Sequence, residues 1–141
     1  MKALVLALLL LVCAAGAAAQ DELDELSDDA ADPVKLFDKG QKAHAKKEYE
    51  QALEFYEEAL KLRPEFPEAE YQKASVLVAL NRMPEAEKSF RRASVLQPNW
   101  PLPHATLGLL LVRVEGRAGD AETLLRRAVE LDAKDELGSK K

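Results

Sequence analysis

A pattern of small and large residues recurs three times in this chain at a spacing of 34 to 35 residues. Gly40, Ala52, Tyr56, Ala59 and Pro64 are followed by Ala74, Ala86, Phe90, Ala93 and Pro98, and then by Gly108, Ala121, Leu125, Ala128 and Ala133. A fixed period of this length marks a repeat array, in which each unit is one supersecondary element that buries its apolar face by stacking on its neighbours. Ala52 and Ala59 lie seven apart, two helical turns, so they share one face of a helix, and Ala86/Ala93 and Ala121/Ala128 repeat the arrangement. Side chains this small let helices approach closely. The same holds for Gly40, Ala74 and Gly108 on the helix before, while Tyr56, Phe90 and Leu125 are expected to fill the space between units. Pro64 and Pro98 stop the second helix of their units, because proline lacks the interior N–H and clashes with the preceding turn.

Each unit therefore reads as two helices, and the chain as all-α. The expected spans are 33–46 and 48–62, 67–80 and 84–96, 101–115 and 120–132. Pro33 suits a first helical turn with Asp32 as its cap. Asn81 suits a left-handed helix terminator, Pro84 a helix start, and Asp120 a cap after the break at Gly119. Ala, Leu, Glu and Lys, all good helix formers, dominate the composition. No stretch alternates with the period of two that strands require.

The order small, small, aromatic, small, proline resembles the tetratricopeptide repeat family over residues 33–133, as three units at 33–66, 67–100 and 101–133. The resemblance implies a right-handed α-solenoid of antiparallel helix pairs. The third unit departs from the pattern with one extra residue around Gly116–Gly119 and with Ala133 in place of proline. The family's large aromatic near the start of the first helix is replaced by Leu36, Glu70 and His104.

The ends differ in composition from the repeats. Residues 1–19 have the form of a signal peptide: Lys2, an apolar run from Ala3 to Val12, and a small-residue cleavage site at Ala17-Ala18-Ala19. The run is short for a bilayer span, and Val12 is too bulky for the position before a lipidated Cys13. Export follows, to a periplasmic or secreted location in a bacterial envelope, with Gln20 as the new terminus. Residues 20–32 hold Asp21, Glu22, Asp24, Glu25, Asp28, Asp29 and Asp32 and no Lys or Arg, so the chain's net charge of −5 resides in this leader and the repeats are nearly neutral. A like-charged run without aromatics reads as a disordered spacer. Residues 134–141 read as a basic tail, in which Lys134-Asp135-Glu136-Leu137 is not at the terminus where a retention signal is read.

Catalytic constellations are missing from the sequence. It has two histidines, His44 and His104, near opposite ends of the array, one cysteine within the signal, and none of the HExxH, GxSxG, CxxC or phosphate-loop patterns. The expectation is a non-enzyme with no cofactor and no metal. Arg91/Arg92 and Arg126/Arg127 are doublets offset by nearby acids rather than the basic stripe nucleic acid requires.

In proteins the chain resembles, the first helix of each unit lines a concave groove that holds a peptide or partner helix. That implies a partner-binding set of Phe37, Gln41 and His44, then Tyr71, Ser75 and Val78, then Ala105, Leu109 and Val112. Leu109 and Val112 also suit packing between helices, as does Trp100 in Asn99-Trp100-Pro101. One subclass of the family grips a terminal carboxylate with Lys, Arg and Asn. The matching positions here are Phe37, Gln41, Gln72, Leu102 and Thr106, none basic and none Asn, so that clamp is not expected. The last helix carries Leu124, Leu125, Val129 and Leu131, with only eight residues after the repeats to cover them. Leu124, Leu125 and Val129 form a possible second interface, including a homodimer. The expected function is an exported protein-interaction module or scaffold. The alternatives are a self-assembling structural subunit and a non-catalytic accessory of an envelope enzyme.

Overall fold

The computed structural model describes residues 32–138, with side chains followed to Lys134. The expected signal peptide and all of the acidic leader except Asp32 lie outside the described residues. Six helices follow in order: α1 Pro33–Ala45, α2 Tyr49–Leu62, α3 Pro67–Ala79, α4 Met83–Leu96, α5 Pro101–Val112 and α6 Ala118–Gly138. No strand occurs among the described residues. Helices α1 and α2, α3 and α4, and α5 and α6 pack as pairs, and each pair stacks on the next through α2 against α3 and α4 against α5. The result is an α-solenoid three units long.

Local chemistry sets the helix ends. The Asp32 side chain accepts a 2.8 Å hydrogen bond from the Val34 N–H and Pro33 occupies the first turn of α1, which satisfies one of the donors that a helix start leaves orphaned. A left-handed residue closes the first helix of each unit: Lys47 (φ 64°), Asn81 (φ 59°) and Gly116 (φ 79°). Asn and Gly adopt that region readily, whereas Lys47 carries no sequence signal for it. Asn81 follows Lys47 by one period and Gly116 follows Asn81 by one residue more, so the extra residue of the third unit lies before Gly116, and α5 ends at Val112 rather than 115. Helix α6 starts at Ala118, two residues earlier than expected. The Asp120 carboxylate does not cap it but accepts from Arg117 Nε at 2.7 Å. With no proline at 133 to stop it, α6 runs to Gly138, through the first part of the expected tail.

The small residues act as seats for the large ones. A Cβ placed on Gly40 would lie 2.5 Å from Tyr56 Cε1, and one on Gly108 would lie 2.8 Å from Leu125 Cγ. Tyr56 and Phe90 are fully buried, as is Ala74 at the position equivalent to the two glycines. Tyr56 and Leu125 sit on the first helix of their own pair, and Tyr56 and Phe90 also border the hollows towards the next unit. A different set joins the units. Phe66, the residue before α3, packs its ring 5.0 Å from Phe37 of α1, and Trp100, the residue before α5, packs 5.1 Å from Tyr71 of α3, so each ties the start of one unit's first helix to the first helix of the unit before. Phe66 and Trp100 are one period apart, as are Phe37 and Tyr71, so one aromatic staple is used twice.

The glycines separate the two meanings of that residue. Gly40→Ala forces the Tyr56 ring to move, and overpacking of this kind costs about 1–3 kcal/mol, more than the gain of about 1 kcal/mol from better helix propensity. A Cβ placed on Gly119, in the first turn of α6, would meet nothing within 4 Å, so Gly119→Ala should stabilise by roughly 0.5–1 kcal/mol. Urea unfolding should therefore show opposite shifts of midpoint for the same chemical change.

Candidate partner-binding groove

Three hollows recur along the array at equivalent positions, and they differ in chemistry. The first, about 380 Å³, is lined by Gln41, His44, Ala45, Tyr56 and Gln72, between units one and two. The second, about 480 Å³, lies between units two and three. It has Val78 and Phe90 where the first has His44 and Tyr56, Thr106 where the first has Gln72, and Leu109, Leu110 and Met83 besides. The third has Val112 and Leu125 in the matching places, with Ala118, Glu122 and Arg126, and no further unit beyond it among the described residues. One site is thus written three times, first polar, then apolar, then open at one side.

Hydrogen bonds and rings fix the walls. Thr106 Oγ1 donates to the Leu102 carbonyl at 2.9 Å. Its proton is then committed, so the Tyr71 hydroxyl is the donor in the 3.2 Å bond that ties α3 to α5. Tyr71 also lies edge-on to Phe90 at 5.4 Å. Ser75 Oγ donates back to the Tyr71 carbonyl, so its hydroxyl is engaged with its own helix. The His44 ring lies edge-on to Tyr49 at 5.8 Å. At the rim of the apolar cleft, Glu87 accepts from Arg91 Nη2 at 2.8 Å and from Arg117 Nη2 at 3.2 Å, a bridge from α4 to the connection before α6. Hydrogen bonds first from Arg91 and then from Arg117 hold the Glu87 carboxyl below its ordinary range. Arg113, also at this rim, is exposed.

Among the expected groove residues, Gln41 and His44 come together in the first hollow, Val78 and Leu109 in the second, and Val112 borders the third. Phe37 and Tyr71 are half-buried in the aromatic staples, and Ala105 is half-buried on α5. Leu109 and Val112 do not serve as packing between helices. They are 61% and 59% exposed, because Leu107, Gly108 and Leu111 take the buried side of α5. Of the last-helix set, Val129 is 70% exposed, Leu125 sits half-buried on Gly108, and Leu124 packs against the core. Leu131 is buried. The sequence pattern did not point to Met83, Phe90, Leu110 and Arg113 as cleft residues. Val78 was in the expected set, and Phe90 stands one period after Tyr56, which lines the first hollow. No group of three or more potential metal ligands occurs among the described residues, and no helix among them is long and apolar enough to cross a membrane.

Residues 43–110 match the family model of the tetratricopeptide repeat. The repeat region belongs to the tetratricopeptide repeat family. Solved structures agree on the fold. The crystal structure of MamA superposes with a TM-score of 0.73 at 17% identity, covering 77% of this chain and 63% of that one. The first tetratricopeptide domain of Spaghetti (RPAP3), bound to the HSP90 peptide SRMEEVD, superposes with a TM-score of 0.67 at 22% identity, covering 79% and 91%. The protein O-mannosyl-transferase Tmtc2 of Drosophila melanogaster is 39% identical over 83 residues, 56% of this chain. The chain spans only 9% and 12% of the lengths of the two curated transferases it matches.

The Tyr56 hydroxyl is buried, has no hydrogen-bond partner and borders the polar hollow. Burial pushes its pKa from 10.0 up to about 12. The folded chain then holds a proton that the unfolded chain has lost. This contribution to stability is therefore complete below pH 10.0 and is lost as pH rises towards about 12. Tyr56→Phe should abolish that alkaline component, leaving the residual slope to other groups, and should leave stability at neutral pH unchanged or higher by up to about 1 kcal/mol, since an unpaired buried hydroxyl is removed. Urea midpoints of the two proteins measured across the alkaline range check both statements.

Proposed function

We propose that this tetratricopeptide array is a protein-interaction module that seats a peptide or a partner helix along the face bearing the first two hollows. The observation that carries the reading is Leu109, a large apolar side chain left exposed in the wall of an apolar cleft of about 480 Å³, with Val112 exposed at the hollow after it. Exposed apolar surface next to a ready concavity favours an incoming apolar side chain. That a protein of the same fold, the Spaghetti domain, is solved with a bound peptide supports the reading. The proposed occupant differs in kind. With Phe37, Gln41, Gln72, Leu102 and Thr106 at the positions of a carboxylate clamp, recognition rests on apolar anchors in the second cleft and amide or imidazole hydrogen bonds in the first. No catalytic step is assigned to the chain. The export signature of residues 1–19 supports a partner outside the cytoplasm, and Val129 with Leu125 offers a second contact that would let the module bridge two partners or pair with its own copy.

Exposed positions make the clean test, since changing them leaves packing intact; Tyr71→Ala would also break a staple. Display selection of short peptides against the full chain should enrich sequences that Leu109→Glu loses at least about tenfold, with thermal stability changed by no more than about 0.5 kcal/mol. Val95→Glu, an exposed apolar position (67%) in α4 outside these hollows, should retain them. Enrichment indifferent to Leu109→Glu would overturn the groove. Sedimentation at tens of micromolar tests the other surface: a dimer dispersed by Val129→Glu would establish pairing through α6.

A further inference from the structure

The first hollow holds hydrogen-bonding groups that the fold leaves unengaged. The side-chain amides of Gln41 and Gln72 form no hydrogen bond with another described residue. Tyr56 lines the same hollow, and its hydroxyl is buried without a partner. One period on, the positions of Gln41, Tyr56 and Gln72 are taken by Ser75, Phe90 and Thr106. There the polar groups are already committed: Ser75 Oγ donates to the Tyr71 carbonyl at 3.1 Å, and Thr106 Oγ1 to the Leu102 carbonyl at 2.9 Å. Phe90 carries no hydroxyl, yet it is as buried as Tyr56. Packing within a unit therefore gives no reason for the oxygen on Tyr56, and a buried hydroxyl without a partner costs stability.

The lining selects what can enter. It contains no Lys, Arg, Asp or Glu, so a carboxylate or an ammonium group would lose its water without meeting a permanent opposite charge. An aliphatic side chain would shut the Tyr56 hydroxyl and both amides away from water with nothing to bond. A side-chain carboxamide meets both demands. Its oxygen accepts from the Tyr56 O–H, and its NH2 donates to the amide oxygen of Gln41 or Gln72. The burial that pushes the Tyr56 pKa up to about 12 keeps the hydroxyl protonated and able to donate. We infer that the first hollow takes the carboxamide of an Asn or Gln side chain of the bound peptide, with the Tyr56 hydroxyl donating to its carbonyl. The inference rests on the groove reading above and adds the class of side chain that the polar hollow selects.

The repeat also sets the distance to the second anchor. Helices α1 and α3 touch, and packed helices lie about 8–10 Å apart, axis to axis. The polar hollow and the apolar cleft are one unit apart, so their occupants are separated by a similar distance. An extended chain rises roughly 3.3 Å per residue. The carboxamide therefore stands about three residues from the apolar side chain that fills the second cleft.

Peptides enriched by display on the full chain are the probe. Those lost on Leu109→Glu should carry Asn or Gln about three residues from an apolar anchor. In such a peptide, exchanging Gln for Met or for Glu should weaken binding about tenfold, measured by fluorescence anisotropy at neutral pH. Tyr56→Phe, with equal helicity by circular dichroism, should bind the Gln peptide about fivefold more weakly and the Met peptide no more weakly, so that the advantage of Gln shrinks by the same factor. Peptides sensitive to Leu109→Glu but without Asn or Gln at a fixed distance would overturn this inference and leave the groove reading standing. So would a preference for Asp or Glu there, or an advantage of Gln over Met that Tyr56→Phe does not change. Enrichment indifferent to Leu109→Glu would overturn the groove reading and this inference with it.

Discussion

The whole array depends on one contact, the closure of each helix pair over a residue with little or no side chain. Tyr56 over Gly40 and Leu125 over Gly108 leave no room for a Cβ, and the equivalent Ala74 and Phe90 are both buried. Because a packed interior is close to incompressible, the seat sets the distance between the helices of a pair. That distance sets where Phe37 and Tyr71 stand, and they receive the rings of Phe66 and Trp100, which stand where the next unit's first helix begins. Closure within a unit and stapling between units are thus separate devices, each repeated with the period of the sequence.

Repetition of the scaffold explains how the groove acquires its chemistry. The first two hollows occur where two first helices meet a second helix, so their positions are fixed by the fold, and only their linings vary. His44, Gln41 and Gln72 make one polar, while Val78, Phe90 and Leu109 make the next apolar. The Tyr56 hydroxyl shows a cost of the arrangement: an aromatic needed to fill the seat carries a polar atom that the packing leaves without a partner. The same logic of equivalent positions distinguishes the two ends. Lys42 of α1 is exposed where its equivalent Val76 of α3 is buried, and at the other end Val129 of α6 is exposed.

Much of the helical framework was legible because its signals are local. Pro33 and Pro84 at helix starts, Asp32 as a cap and Asn81 as a left-handed terminator each act within one turn, and most observed helix ends lie within a few residues of the expected ones. Where local signals ran out, the expectations drifted. Nothing marks Lys47 as left-handed, and without a proline at 133 the sequence offers no stop for α6. The groove was legible in part. Its face was readable from the repeat, but Leu109 and Val112 were as compatible with packing as with exposure, and Met83, Leu110 and Arg113 join the cleft only through the approach of α4 to α5.

The sequence by itself determined the period, the helical character and the seats, because these follow from residue size and from rules that operate over one or two turns. Tertiary structure alone decided which partner each large residue touches and which apolar side chains stay in water. Helical periodicity gives every residue an angle around its own axis; it does not say what stands opposite. Lys42, Val76 and Leu110 share one angle, yet one is exposed, one is buried and one borders a cleft, because the neighbour in front of each helix is different.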